Sequence, residues 1–171
     1  MSVRDNILSV LFDFPLKSFS LRELSRKAKV SIRSVILCIN KLENETVVKV
    51  EKHPNINLVS SNNNEKFREL KLKYNLESLK KSGLIEKLSE LTPDVIILFG
   101  SYSRGEDTPK SDIDIALIGT LSKNDTNLTS FEKKLKRKIS IHKINNLKTE
   151  ENEFKNTLAN GKILKGYLNL F

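Results

Sequence analysis

The 171-residue chain has a single cysteine, Cys38, a single methionine and no tryptophan. One cysteine excludes an internal disulfide. Its place in an apolar helical pattern reads as a small core residue rather than a reactive thiol. No run approaches 18 consecutive apolar residues, so no membrane span is expected. The opening stretch MSVRDNILSVLFDFP carries acids within a short apolar run and does not read as a signal peptide, which points to a cytoplasmic protein. There is no internal repeat, and the asparagine run at 62–64 is too short to count as low complexity.

What the chain does have is basic charge. Lys and Arg total 30 against 21 acids, a net charge of +9, spread over both halves. Such a balance suits an acidic partner: nucleic acid, nucleotide phosphates or an acidic protein. A lysine-rich solvated surface explains it equally well. With 38% hydrophobic residues the chain can build modest cores, and its length allows one ordinary domain or two small ones.

The first 60 residues read as helices followed by extended segments. VRDNILSVLFDFP sets Ile7, Leu8, Leu11 and Phe12 at helical spacing, and Pro15 ends the segment. SLRELSRKAKV opens on Ser20 with Glu23 three residues on, the pattern of a capping box. SIRSVILCINKLENE places Ile32, Val35, Ile36, Ile39 and Leu42 on one stripe behind Ser31, the expected cap. TVVKVEKHPNINLVS then gives two β-rich runs around the turn HPN, with His53 expected at the surface. Three short helices and a hairpin are the order of a winged helix-turn-helix, assigned to residues 1–61. In that arrangement the third helix would present Arg33, Ser34, Leu37 and Lys41, with Arg26, Lys27 and Lys29 just before it, and the basic set could contact DNA phosphates and a few bases. Leu37 fits either a thymine methyl group or a protein interface, so DNA and protein contact both stay open.

Residues 62–92 read as a helical linker divided at Gly83. From Pro93 to Phe171 the order changes to alternating strands and helices: DVIILFG a strand, SYSRG a short helix ending at Gly105, SDIDIALIG a strand, LTSFEKKLKRK a helix, ISIHKI a strand, KTEENEFKNTLAN a helix, and GKILKGYLNLF a last extended or helical piece. The fold class expected for the whole chain is α+β, the last part a small mixed sheet flanked by helices. The lysine-rich stretch 133–138 reads as a solvated helix face, with RNA or acidic-protein contact open.

Two pairs of residues carry chemistry. Side chains alternate along a strand, so Asp112 and Asp114 share one face while Ile113, Ile115 and Leu117 take the other, expected to be the core. Two carboxylates about 6–7 Å apart repel by roughly 2–3 kcal/mol at an effective dielectric near 20. A divalent cation reverses that, and Mg²⁺ prefers carboxylate oxygens completed by water and substrate phosphates. The second pair is Gly100–Ser101, after the apolar run. A glycine between a strand and a helical turn lets a phosphate approach the backbone, and Ser101 can add a hydroxyl. Arg104 follows one turn on, with a fork-shaped cation. Together these predict a site for a nucleoside triphosphate with metal.

The stretch GSYSRGEDTPKSDIDI resembles the signature of the DNA polymerase β-type nucleotidyltransferase superfamily, and is similar above all to the minimal nucleotidyltransferases. The resemblance covers roughly residues 93–171. It implies that Asp112 and Asp114 bind Mg²⁺ or Mn²⁺ and are catalytic, that Gly100 and Ser101 hold the triphosphate, and that a nucleotide monophosphate passes from ATP or another NTP to a hydroxyl on a protein, an RNA or a small molecule. Arg104 and Ser111 complete the nucleotide-binding set. Relatives of this kind often work with a partner protein, and a homodimer is left open.

One expected element is missing. The family's third carboxylate belongs on a later strand, and KISIHKI holds Ser140 and His142 but no acid. His142 could serve as a substitute base, since imidazole titrates near neutrality, or be a plain polar neighbour; Glu150, Glu151 and Glu153 lie further along. A second reading follows: a DNA-binding transcriptional regulator whose degenerate nucleotidyltransferase domain senses a nucleotide.

Overall fold

A computed structural model of the chain describes residues 2–122 and 127–168. The chain divides into two compact units, 1–71 and 72–171. The division falls inside one helix.

The first unit begins with α1 (Val3–Asp13), where Ser2 and Asp5 cap each other reciprocally. A two-residue strand β1 (Phe19–Ser20) leads into α2 (Leu21–Ala28), and α3 (Ile32–Asn44) follows. Ser20 accepts from the Glu23 N–H as expected, but Glu23 does not return the bond. Its carboxylate instead meets Lys17 Nζ at 2.8 Å. Ser31 caps α3, with Ser34 N–H donating to its hydroxyl. The hairpin β2 (Val48–His53) and β3 (Ile56–Ser61) turns on Pro54–Asn55, and β3 pairs with both β2 and β1, antiparallel in each case. The core takes Ile7, Leu11, Phe19, Leu24, Val35, Leu42 and Val59, all fully buried.

The α3 stripe is narrower than its spacing suggested. Val35, Ile39 and Leu42 are buried, but Ile32 and Ile36 are 44% and 42% exposed, and Leu37 is 59% exposed. A 3.6-residue period offers five positions, yet α1, α2 and the hairpin cover only Val35, Ile39 and Leu42, on one side of the stripe, and leave Ile32 and Ile36 at its other edge.

Asn64 starts α4 (Glu65–Ser82) by accepting from the Phe67 N–H, and Gly83, at φ +82°, separates it from α5 (Leu84–Ser89). The second unit then builds a four-stranded mixed sheet from β4 (Val95–Phe99), β5 (Ile113–Ile118), β6 (Ile139–Ile144) and β7 (Lys162–Gly166), in the order β6-β5-β4-β7. β5 and β6 run parallel, joined across α6 (Thr129–Leu135); β4 is antiparallel to β5 and β7. The final extended piece is thus β7, reached through α7 (Asn152–Ala159); residues 169–171 of that stretch lie outside the described residues.

The sheet is covered on both faces, which corrects the expectation of a single core side to β5. Ile113, Ile115 and Leu117 pack with Leu79, Leu84 and Leu88 of α4 and α5. Ala116 and Ile118, on the aspartate face, pack with Ile97, Phe99, Ile144, Leu147 and Leu158. A strand buried on both sides reads as an unbroken apolar run, and all five residues of β4 are buried. Only the leading end of β5 is left for polar groups.

Candidate active site

That leading end is where the two aspartates stand. Asp112 lies exposed one residue before β5, and Asp114 is half-buried within it. Asp114 is the register partner of Phe99 on β4 and of Ser140 on β6. Gly100, immediately after β4, has φ +73° and lies directly against the Asp114 carboxylate: a Cβ there would overlap Asp114 Oδ2. Glycine is required twice over, by the left-handed backbone and by the close approach.

From Gly100 the chain enters a 3-10 turn, Tyr102–Arg104, closed by Gly105 in the left-handed region. The Ser103 hydroxyl donates to Gly100 O at 2.8 Å and ties the turn to the strand end. Ser101 is half-buried at the head of the turn. Arg104 points to the surface, its Nε donating to Glu106 Oε2 at 2.8 Å. An ion pair this exposed contributes little, so Glu106 does not fix the guanidinium. The Ser111 hydroxyl accepts from the Thr108 N–H at 3.0 Å and shapes the turn before Asp112.

Burial pushes the Asp114 carboxyl above its ordinary value; the nearby His142 acts against that rise and Asp112 adds to it. The His142 ring meets Phe99 edge-on at 5.1 Å and lies 5.9 Å from the Phe154 ring. Its Nε2 is 3.2 Å from Ser140 Oγ. Ser140 and His142 therefore share the aspartate face, as strand alternation requires. Glu151 and Glu153 are exposed on or beside α7, and Glu150 is half-exposed just before it.

Two functional-looking residues lay hidden in the sequence. Asp107, 1% exposed in its side chain, takes a hydrogen bond from Asn75 Nδ2 at 2.8 Å and sits 3.5 Å from Arg137. Asn75 also donates to Tyr102 O. This network holds the 3-10 turn, the loop before Asp112 and the approach to β6 together. It also corrects the reading of 133–138 as one solvated helix face: α6 ends at Leu135, Lys136 is left-handed, and the Arg137 side chain turns inward at 10% exposure. Asp107 sits in a loop with no periodicity to announce it.

In the first unit Arg26, Lys27, Lys29, Arg33 and Lys41 are all exposed. Ser34 is half-buried, its hydroxyl 2.8 Å from that of Ser31, and Lys27 stands over the Phe14 ring at 5.2 Å.

The donor set at β5 fits a hard divalent cation. Two carboxylates at one strand end, with a glycine leaving room beside one of them, suit an ion that takes oxygen ligands and retains sites for phosphate and water. Among the described residues no group of three or more His, Cys, Asp or Glu side chains is gathered as a metal cage, so phosphate and water would have to supply the remaining ligands. No helix among the described residues is long and apolar enough to cross a membrane.

No curated protein and no solved structure matches the chain. A family model described as polymerase beta, nucleotidyltransferase matches residues 82–167. That span holds the Gly100 turn, both aspartates and the whole mixed sheet, and it is half of the chain. The chain therefore belongs to the polymerase β nucleotidyltransferase family.

Proposed function

We propose that the chain transfers a nucleotide monophosphate from ATP or another NTP to an acceptor hydroxyl, with Asp112 and Asp114 as the catalytic pair. The observation that carries this reading is Gly100 lying against Asp114 at the head of β5, with Asp112 two residues before it. A bare backbone beside a carboxylate is what a triphosphate and its cation need. Asp112 and Asp114 hold Mg²⁺ or Mn²⁺, which when bound neutralises charge on the phosphates. Gly100 lets the phosphates approach, Ser101 offers a hydroxyl, and Arg104 is free to swing from Glu106 to the anion. Ser111 acts by fixing the turn that presents Asp112. Residues 1–61 form a winged helix-turn-helix that brings the activity to its target, 62–92 connect, and 93–171 carry the transfer. The test is incubation of the full chain with α-³²P-NTP, Mg²⁺ and a cell lysate. Label should enter a macromolecule and disappear with Asp112→Ala and with Asp114→Ala. Labelling that survives both variants rules the site assignment out.

One observation favours a second reading. β6 puts Ser140, not an acid, beside Asp114, so the domain could hold a nucleotide without transferring it. The chain would then be a transcriptional regulator, with Arg26, Lys27, Lys29, Arg33, Ser34 and Lys41 facing DNA. The exposed Ile32, Ile36 and Leu37 on the same helix suit a protein partner or a homodimer better than DNA. Full NTP binding without any transfer, together with footprinting on DNA that depends on Arg33, would select the regulator.

A further inference from the structure

β4, β5 and β6 set Phe99, Asp114 and Ser140 in one row across the sheet, each the register partner of the next. The middle member is a carboxylate of the candidate site. The outer one is a hydroxyl on the same face, one strand spacing away, roughly 4.8 Å. Ser140 is half-buried and so open to a ligand seated at the head of β5. Its Oγ lies 3.2 Å from His142 Nε2.

His142 is oriented in turn. Its ring is 5.1 Å from Phe99 and 5.9 Å from Phe154, and those two rings are 5.8 Å apart, so the three form a triangle. Phe99 and His142 stand on the strands that flank β5, and their rings converge over it. The β5 partner of His142 is Ala116, whose small side chain leaves them room. Edge-to-face packing holds a ring without engaging its nitrogens. A hydroxyl within hydrogen-bond reach of an imidazole that other groups orient is the arrangement of an activated nucleophile.

We infer that Ser140 is itself an acceptor: the chain transfers one nucleotide monophosphate to its own Ser140 hydroxyl and thereby closes its site. The inference rests on the nucleotidyltransferase reading for the bound NTP and on β6 alone for the acceptor. Ser140 Oγ bonds to the α-phosphorus, the bond from that phosphorus to the bridging oxygen breaks, and pyrophosphate leaves with the electron pair. The hydroxyl proton passes to His142 Nε2. The product is a phosphodiester between Ser140 and the nucleoside, and it tethers the nucleotide beside Asp114, where the next NTP would sit. The reaction therefore stops at one nucleotide per chain. It occurs within one chain, because strand pairing holds Ser140 beside that chain's own Asp114.

The test incubates the purified full chain, without lysate, with Mg²⁺ and a mixture of ribonucleoside triphosphates, and reads its intact mass. The mass should rise by one nucleotide monophosphate and no more. Fragmentation should place the group on Ser140, and the fractional rate should not depend on chain concentration. Ser140→Ala should stay unmodified while still binding a fluorescent NTP. Ser140→Thr, which keeps a hydroxyl, should be modified; Ser140→Asp, which has none, should not, whatever it does to outside acceptors. His142→Gln should slow modification at least about a hundredfold, the usual worth of a positioned base. A second readout needs neither metal nor NTP. The chain has two histidines, His53 and His142, so nitrogen NMR in EDTA, above the ordinary imidazole range, reads the His142 tautomer directly. It should carry its proton on Nδ1 and accept at Nε2, and Ser140→Ala should move the Nε2 signal. Modification that is absent from the wild type, that maps elsewhere, that survives Ser140→Ala or that scales with chain concentration overturns the inference. So does a His142 ring with its proton on Nε2. Asp112-dependent labelling of lysate macromolecules by a chain that never labels itself keeps nucleotidyl transfer and removes Ser140 as acceptor. No labelling of anything removes both, so the two failures are distinct.

Discussion

Gly100 leaves no space between its backbone and the Asp114 carboxylate; a methyl group there would overlap Oδ2. Strand pairing creates this contact, because Phe99 and Asp114 are register partners and Gly100 is the next residue out. Gly100→Ala must both hold φ near +73° with a Cβ and push the carboxylate aside. The strained backbone alone costs about 1 kcal/mol. We expect a lower Tm and a loss of Mg²⁺-dependent NTP binding larger than the stability change explains. Calorimetry and a melt on the same sample separate the two effects, and unchanged binding in a folded variant would show that the phosphates do not use this turn.

Asp114 carries a pH signature. Burial raises its carboxyl above the ordinary value, so between the unfolded and folded values the folded state binds more protons. Stability then falls as pH rises through that window. In EDTA, Asp114→Asn should melt higher than wild type at pH 7, and the difference should close below about pH 3, where both states of the wild type are protonated. With Mg²⁺ and NTP present the ranking should invert. A variant that melts no higher than wild type at pH 7 in EDTA would mean that ionised Asp114 is already well solvated.

Arg137 should behave unlike the basic residues around it. Its partner Asp107 is fully buried, and removing Arg137 takes a charged partner from that carboxylate while the Asn75 hydrogen bond stays, a loss of about 1–3 kcal/mol. Arg137→Met should destabilise by that order in a denaturant melt, whereas Lys133→Met should stay within about 0.5 kcal/mol. Equal effects would place both on solvated surface.

The contrast between these two positions marks where the sequence is readable. KKLKRK looks like uniform charge, because nothing in residue type separates Arg137 from its neighbours; the chain leaves the helix at Lys136 and only then turns inward. Asp107 is equally silent, its burial arising from Asn75, 32 residues earlier. By contrast DVIILFG and IDIALI announce their strands by composition, Gly83 and Gly105 mark their breaks, and the aspartates stand out because charge interrupts an apolar run. The exposed Ile32 and Ile36 show the limit of periodicity: it reports which residues share a face, not how much of that face a neighbour covers.

Ser140 is the last test of what the site can do. It faces Asp114 across parallel strands, on the same side as His142, and its hydroxyl lies 3.2 Å from the His142 ring nitrogen. Neither group supplies the charge of a carboxylate. Ser140→Asp sets an acid about one strand spacing from Asp114, roughly 4.8 Å. In EDTA the added repulsion should lower the Tm; with Mg²⁺ or Mn²⁺ the variant should recover, because a third oxygen ligand strengthens cation binding. If transfer is limited by cation binding, its rate should rise about tenfold, which needs only about 1.4 kcal/mol of extra transition-state stabilisation. His142→Asp, one step further along the same face, should do less. Undetectable transfer in both variants alongside intact NTP binding would select the nucleotide-sensing regulator. Brisk transfer by the wild type that stops in His142→Ala, with NTP affinity and melting temperature unchanged, would instead make His142 the group that takes the acceptor's proton, and Ser140 the residue that orients its ring.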